Sequence, residues 1–375
     1  MNILIVGTDA SRYGSAVSMA TLAGELIRLG HHVVCVIPKR GPIEELLQRG
    51  QVPYRIMGVK KWIAPPQKGF RYVLMEAYRM CVNLISEIRL VFLCRSCNIE
   101  VMHLNTSASP CGYLCSRLLH LKLVWHIREF VEEDFGYRFQ NQRKAYRRIA
   151  EADAVITISD ALYRKYQGIV PRDRLLRIYN GIDEKIYYRE GEIFTGSRFV
   201  IAHIGRFHEN KGQAELLEAC RIYEERYGVL PFQLWLVGSG EKAYTEYLKE
   251  KAEAIKGDVV LKGFSDHIEK LLPQMDIVVV NSRCEAFGRV AAEAMMAGRL
   301  VIGTGSGGIP EIVGDYGLLY DFGEASQLAD KIAYALAHRE ETAEMARKGR
   351  ARALTLFTAK RNAEEISAVY EKIKK

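Results

Sequence analysis

The chain has 375 residues, with 53 Lys+Arg against 45 Asp+Glu, 49% hydrophobic and 26% charged. That length fits two domains of common size better than one core, and the charge content without enriched Gly or Pro excludes collagen-like, low-complexity and disordered classes. No apolar run approaches the ~18–20 residues needed to span a bilayer, and Ile3–Val6 is too short for a signal-peptide core, so a soluble, cytoplasmic chain is expected.

The net charge of +8 is unevenly spread. Residues 1–180 carry 26 basic and 15 acidic groups, a net of +11, and residues 181–375 carry 27 and 30, a net of −3. Only the first half is therefore expected to face an anionic partner.

In chain order, short β-rich runs alternate with helical stretches, the pattern of parallel sheets covered by helices. The first series of strands reads Asn2–Val6, Val33–Ile37, Tyr54–Met57, Val101–Leu104, Leu123–His126 and Ala154–Thr157. A helix over Gly14–Leu29 fills the first interval and stops at Gly30, a residue suited to the left-handed C′ position. The second series reads Phe199–Ile204, Phe232–Val237, Val259–Lys262, Ile277–Val280, Val301–Ile302 and Gly317–Leu319. The expected division is 1–183, 184–356 and a last amphipathic helix over 357–375, which either packs on the second domain or returns to brace the first.

Eight cysteines in so long a chain do not make a disulfide framework. Cys94, Cys97, Cys111 and Cys115 have a spacing that would suit zinc. However, the segment between the two pairs reads as a core strand, and Cys111 and Cys115 fall one helical turn apart, so buried packing is preferred and no metal is expected.

The most informative segment is Ile204-Gly-Arg-Phe-His-Glu-Asn-Lys-Gly212, a strand end, a loop and a helix start. Arg206 and Lys211 beside the N–H groups of a first helical turn would suit an anion, above all a diphosphate. Within Asn281–Ala294, Glu285 falls in the loop before a helix starting near Phe287, and Glu293 falls inside it. A carboxylate in an apolar helix needs a partner or a function: Glu293 either chelates vicinal hydroxyls or pairs with Arg289 at i−4. Gly303–Glu311 is a glycine-rich turn that would let backbone N–H groups approach a phosphate or sugar. In the first half, His126 ends a strand, where ligands of open α/β sheets bind, and the loop Gly7–Ser15 could approach a phosphate.

In this order, Gly30-His31, Asn180-Gly-Ile-Asp183, Arg206 with Lys211-Gly212, the E-x7-E of Glu285 and Glu293, and Gly307-Gly-Ile-Pro-Glu311 resemble glycosyltransferase family 4, the retaining GT-B enzymes that use sugar nucleotides. The resemblance implies an α/β GT-B fold, two Rossmann-like domains facing across a cleft with the C-terminal helix crossing back. It implies transfer of a sugar, from a UDP-sugar before a GDP-sugar, to a saccharide or lipid-linked saccharide in cell-surface polysaccharide synthesis. Arg206 and Lys211 match the cations on the donor diphosphate, Glu293 the ribose carboxylate and Glu285 the carboxylate on the donor sugar. Gly14, Gly238, Phe264, Phe287, Gly288, Ser306, Gly307 and Gly308 match further donor positions. His126 matches the histidine of the acceptor-side wall, with Asn105 and Arg128 beside it. The family usually has Gly-Gly before its first helix, where this chain has Tyr13-Gly14.

No Asp-x-Asp occurs in the chain, so fixed cations are expected to stabilise the leaving group with neither a divalent metal nor a cofactor. Retention then favours a front-face displacement in which the departing phosphate takes the acceptor proton. The rival classes are a sugar-nucleotide isomerase of the 2-epimerase kind and an inactive sugar-nucleotide-binding protein. From Leu46 to Met75 there are six basic residues and no acid, interleaved with Trp62, Ile63, Phe70 and Tyr72. That stretch is expected to dock on an anionic membrane, placing the chain peripherally at the inner face of the plasma membrane. A solvated face is the plainer alternative, and no nucleic-acid partner is expected.

Overall fold

The structure is a computed structural model that describes residues 1–65, 70–134, 136–196 and 198–375, and of residues 70 and 71 the backbone alone. The chain forms two compact units, residues 1–181 with 359–375, and residues 182–358.

The first unit contains β1 (Asn2–Val6), β2 (His32–Ile37), β3 (Tyr54–Ile56), β4 (Ile63–Ala64), β5 (Val101–Leu104), β6 (Lys122–Ile127), β7 (Arg138–Phe139), β8 (Ala154–Thr157) and β9 (Leu175–Arg177). Seven of these make one parallel sheet in the order β3-β2-β1-β5-β6-β8-β9. β4 and β7 form a separate antiparallel pair. The central strands are apolar and buried along nearly their whole length, as strands covered on both faces must be. The seventh strand, β9, lies outside the twelve expected from sequence, and its three residues end in the exposed Arg177. The helix Gly14–Arg28 covers the sheet with Met19, Leu22, Ala23 and Leu26 and ends before Gly30, whose φ of +88° is the expected left-handed turn. The last helix, Ala359–Lys374, belongs to this unit: its Ala363, Ile366, Val369 and Tyr370 lie in the same apolar core as Ile3, Leu22 and Val33.

The second unit contains β10 (Phe199–Ile204), β11 (Phe232–Val237), β12 (Asp258–Gly263), β13 (Ile277–Val280), β14 (Leu300–Thr304) and β15 (Leu318–Tyr320). They form a six-stranded parallel sheet in the order β12-β11-β10-β13-β14-β15. In both sheets the strand order reverses once, between β1 and β5 and between β10 and β13. At such a switch point the two loops leaving the carboxyl ends diverge and open a crevice for ligands.

Candidate functional site

In the second unit, the loop after β10 runs through a 3-10 turn at Glu209–Lys211 into the helix Gln213–Tyr227. The loop after β13 runs from Asn281 to Gly288 into the helix Arg289–Met296. They meet at one ion pair. Lys211 Nζ lies 2.7 Å from Glu285 Oε1, and Ser282 Oγ donates to the same oxygen at 2.7 Å. Burial alone would raise the Glu285 carboxyl, but Lys211 and Ser282 more than offset it and hold the group below its ordinary range. Glu285 is therefore a carboxylate at neutral pH. Beneath it, His203 Nε2 donates to the Lys211 carbonyl at 2.8 Å, and burial lowers the pKa of this histidine to about 4. Arg206 is exposed on the same loop, and among the described residues its guanidinium makes no ion pair.

The glycine-rich turn packs directly on this segment. Gly308 N–H donates to the Glu285 carbonyl at 2.7 Å, and Ser306 Oγ donates to the Arg283 carbonyl at 2.8 Å. Gly307 has a φ of +60°, and a Cβ there would sit 2.3 Å from the Glu285 carbonyl oxygen, so no side chain fits. Gly238 is equally constrained, since its Cβ would lie 1.9 Å from the Gly205 carbonyl oxygen. Gly288 turns left-handed into the helix that carries Glu293. The loops after β10, β11, β13 and β14 thus close on one another at the carboxyl edge of the sheet.

Glu293 is buried and paired with Arg289 Nε at 2.6 Å. Burial raises its carboxyl above the ordinary range, against the opposing pull of Arg289 and a hydrogen bond from Tyr187. Of the two sequence readings of Glu293, the structure shows the ion pair. The Phe287 ring, expected at the donor, is turned into the core, edge-on to Phe357 at 5.7 Å. Only its backbone remains available there. Phe264 is half-exposed at the end of β12.

The first unit has its own switch-point cluster. Asn105 follows β5, its Nδ2 donating to the Ser15 carbonyl at 3.2 Å and its Oδ1 accepting from Arg128 Nε at 2.7 Å. Arg128 also donates to Asn180 and, at 3.3 Å, to His126 Nδ1. His103 Nε2 lies 3.2 Å from that same Nδ1, and Tyr370 OH lies 2.6 Å from His103 Nδ1. A guanidinium has donors only, so His126 Nδ1 must accept and its proton must sit on Nε2. His103 then donates through Nε2 and accepts from Tyr370. Burial, with Arg128 next, keeps His126 well below its ordinary pKa and brings His103 to about 3, so both rings are neutral. His126 Nε2 is buried and has no hydrogen-bond partner among the described residues. Its free group is a donor, which makes His126 unfit to take a proton. Asn105, His126 and Arg128 are all buried. Gly14 opens the first helix after Tyr13, whose side chain makes no capping hydrogen bond, and a Cβ at Gly14 would meet nothing within 4 Å.

Sequence reasoning missed His103, His203, Ser282 and Tyr370. The two histidines sit inside apolar strand runs, and Tyr370 reads as one more apolar position of the last helix. Within Leu46–Met75, Trp62 and Ile63 are not membrane-facing. Trp62 is buried, stacked on Trp125 at 6.0 Å and donating through Nε1 to the Ser107 carbonyl at 2.7 Å. Lys68 and the side chains of Phe70 and Arg71 lie outside the described residues. Cys94, Cys111 and Cys115 are buried free thiols, and among the described residues no group of three or more His, Cys, Asp or Glu could hold a metal.

Residues 13–185 match the family profile described as Glycosyltransferase Family 4, and residues 186–352 that of Glycosyl transferases group 1. The chain is 25% identical over 288 residues to the N-acetyl-alpha-D-glucosaminyl L-malate synthase of Bacillus anthracis, covering 73% of this chain and 74% of that protein. It is 33% identical over 180 residues to an uncharacterized glycosyltransferase of Methanocaldococcus jannaschii, covering 44% and 45%. Among solved structures, Anabaena HepE in complex with UDP and glucose superposes with a TM-score of 0.80 at 22% identity, covering 98% of this chain and 99% of that one. The two profiles adjoin and together take in nearly the whole sequence, so the chain belongs to glycosyltransferase family 4, the group 1 glycosyl transferases, and has the GT-B fold.

Proposed function

We propose that this glycosyltransferase moves a hexose from a UDP-sugar to a saccharide or lipid-linked saccharide acceptor in surface-polysaccharide synthesis, with retention and without a divalent metal. The observation that carries the donor side is the Lys211–Glu285 pair at the switch point of the second sheet. UDP and glucose in HepE, and the sugar-transferring name of the Bacillus anthracis relative, support it.

In this reading Lys211 and Arg206 take the negative charge that grows on the diphosphate as the anomeric bond breaks, and backbone N–H groups of the Ser306–Gly308 turn add to them. Glu285, kept ionised, accepts hydrogen bonds from sugar hydroxyls. Glu293 serves the ribose once Arg289 shares it. The acceptor oxygen bonds to the anomeric carbon on the face the phosphate leaves, and its proton passes to the departing phosphate oxygen. A neutral His126 with its proton on Nε2 suits this route, because it donates a hydrogen bond and takes up no proton.

The test is a panel of UDP- and GDP-hexoses incubated with saccharide and lipid-linked saccharide acceptors, with and without EDTA. Acceptor-dependent release of UDP that survives the chelator, with an α-anomeric product from an α-linked donor, is expected. Loss of turnover in EDTA that Mg²⁺ restores overturns the metal-free route. An epimerised sugar nucleotide formed without acceptor overturns transfer itself.

A further inference from the structure

The helix Phe70–Ser96 is built inside out. An ordinary surface helix turns its apolar stripe to the core. Here the residues on the inner face are polar over the first five turns. Glu76 pairs with Arg79 at 2.9 Å, and Asn83 exchanges two hydrogen bonds with the backbone of Lys60, at 2.8 and 3.0 Å. Ser86 Oγ donates to the Gly58 carbonyl at 2.7 Å, and the buried Glu87 accepts from Gly112 N–H and Cys115 N–H, both at 2.8 Å. Leu90 and Cys94 complete the inner face. The opposite face presents Val73, Met80, Leu84, Ile85, Ile88 and Phe92, with Met80 69% and Phe92 67% exposed. At 1.5 Å per residue this apolar strip is about 28 Å long. Leu114 and Leu118, on the short helix bonded to Glu87, are exposed as well.

Isolated exposed apolar side chains need no explanation, but a continuous strip of this length marks an interaction surface. Its charge settles the kind of partner. Between residues 46 and 99 the only acids are Glu76 and Glu87, and both point inward. Lys61, Arg89, Arg95 and Arg117 are exposed around the strip, and Lys60 reaches over the Tyr78 ring at 5.5 Å from its centroid. An apolar strip with a basic rim and no outward acid fits a helix lying in the plane of an anionic bilayer. A second copy would bring two basic rims together. Among the described residues no helix is long and apolar enough to cross a membrane.

We propose that the Val73–Phe92 face of this helix docks the first unit on a membrane surface rich in anionic phospholipid. This deepens the lipid-linked-acceptor reading, and its test uses no sugar, so the two can fail separately. The intact chain is floated with vesicles of phosphatidylcholine alone, or of phosphatidylcholine with phosphatidylglycerol, at low and high salt. Binding to the anionic vesicles that weakens with salt is expected. Leu84→Glu with Phe92→Glu should lower that binding at least about tenfold while leaving thermal unfolding unchanged, because both side chains are exposed. Lys60→Ala with Lys61→Ala should lower only the anionic, salt-sensitive part. Wild-type protein that stays with the lipid-free fraction, or a Leu84→Glu, Phe92→Glu protein that floats as well as wild type, overturns the proposal. So does a dimer in sedimentation equilibrium that the same two substitutions dissociate, which would give the face to a second copy.

Discussion

The two sheets reverse their strand order at the same topological place, yet the chemistry there is opposite. At the switch point of the second unit charges gather, Lys211 paired with Glu285, Arg289 with Glu293 in the next helix, and Arg206 exposed beside them. At that of the first, two histidines are held neutral and one cation, Arg128, is spread over Asn105, His126 and Asn180. The same fold position therefore offers ionic recognition in one unit and directed neutral hydrogen bonding in the other. A nucleotide diphosphate needs the first kind of site and an uncharged sugar the second.

The contrast breaks most visibly at Arg289. Replacing it by Met leaves a buried carboxylate at Glu293 without its cation, which typically costs about 3–5 kcal/mol. Denaturant unfolding of the Arg289→Met protein should show that loss, and adding Glu293→Gln should recover a large part of it. If Glu293 alone tolerates Arg289→Met without loss of stability, the second unit does not depend on ion pairing. The next effect is catalytic. Lys211→Ala should lower kcat by roughly 10²–10³, the range for one preorganised donor. Turnover close to wild type would remove Lys211 from the donor site.

The smallest effect sharpens the first unit. His103 has a folded pKa of about 3 against an ordinary 6.5, so the unfolded chain binds a proton that the folded chain refuses. Stability is full above pH 6.5 and falls as the pH drops toward the folded value, by about 2 kcal/mol between pH 7 and 5 for this one group. Glu87 and Glu293, whose carboxyls burial raises, act in the other direction. The difference between wild type and His103→Gln in urea unfolding at the two pH values isolates the histidine. Equal pH dependence in both proteins would mean that His103 is solvated.

Most strands were legible because a parallel strand covered on both faces is a continuous apolar run, as in Ile277–Val280. β9 was not, since three residues ending in arginine carry too little of that signal. Arg289 and Glu293 were visible as a pair, being one helical turn apart. Lys211 and Glu285 were visible as types but not as partners, because only the strand order brings positions 74 residues apart into one crevice. The helix Phe70–Ser96 shows the limit from the other side. Periodicity marks its two faces, and the rule that apolar means inward then assigns them the wrong way round. The buried Glu87 and its backbone N–H partners decide the matter, and those partners are more than 20 residues away.

The return of Ala359–Lys374 to the first unit has a consequence for the order of assembly during synthesis. Residues 182–358 are contiguous and can close their core as soon as they have left the ribosome. The first unit, although translated earlier, lacks Ala363, Ile366, Val369 and Tyr370 until the final helix emerges. The Tyr370 hydroxyl that donates to His103 Nδ1, the last member of the hydrogen-bonded chain from Arg128 through His126, comes from the same helix. The half made first is therefore the half finished last.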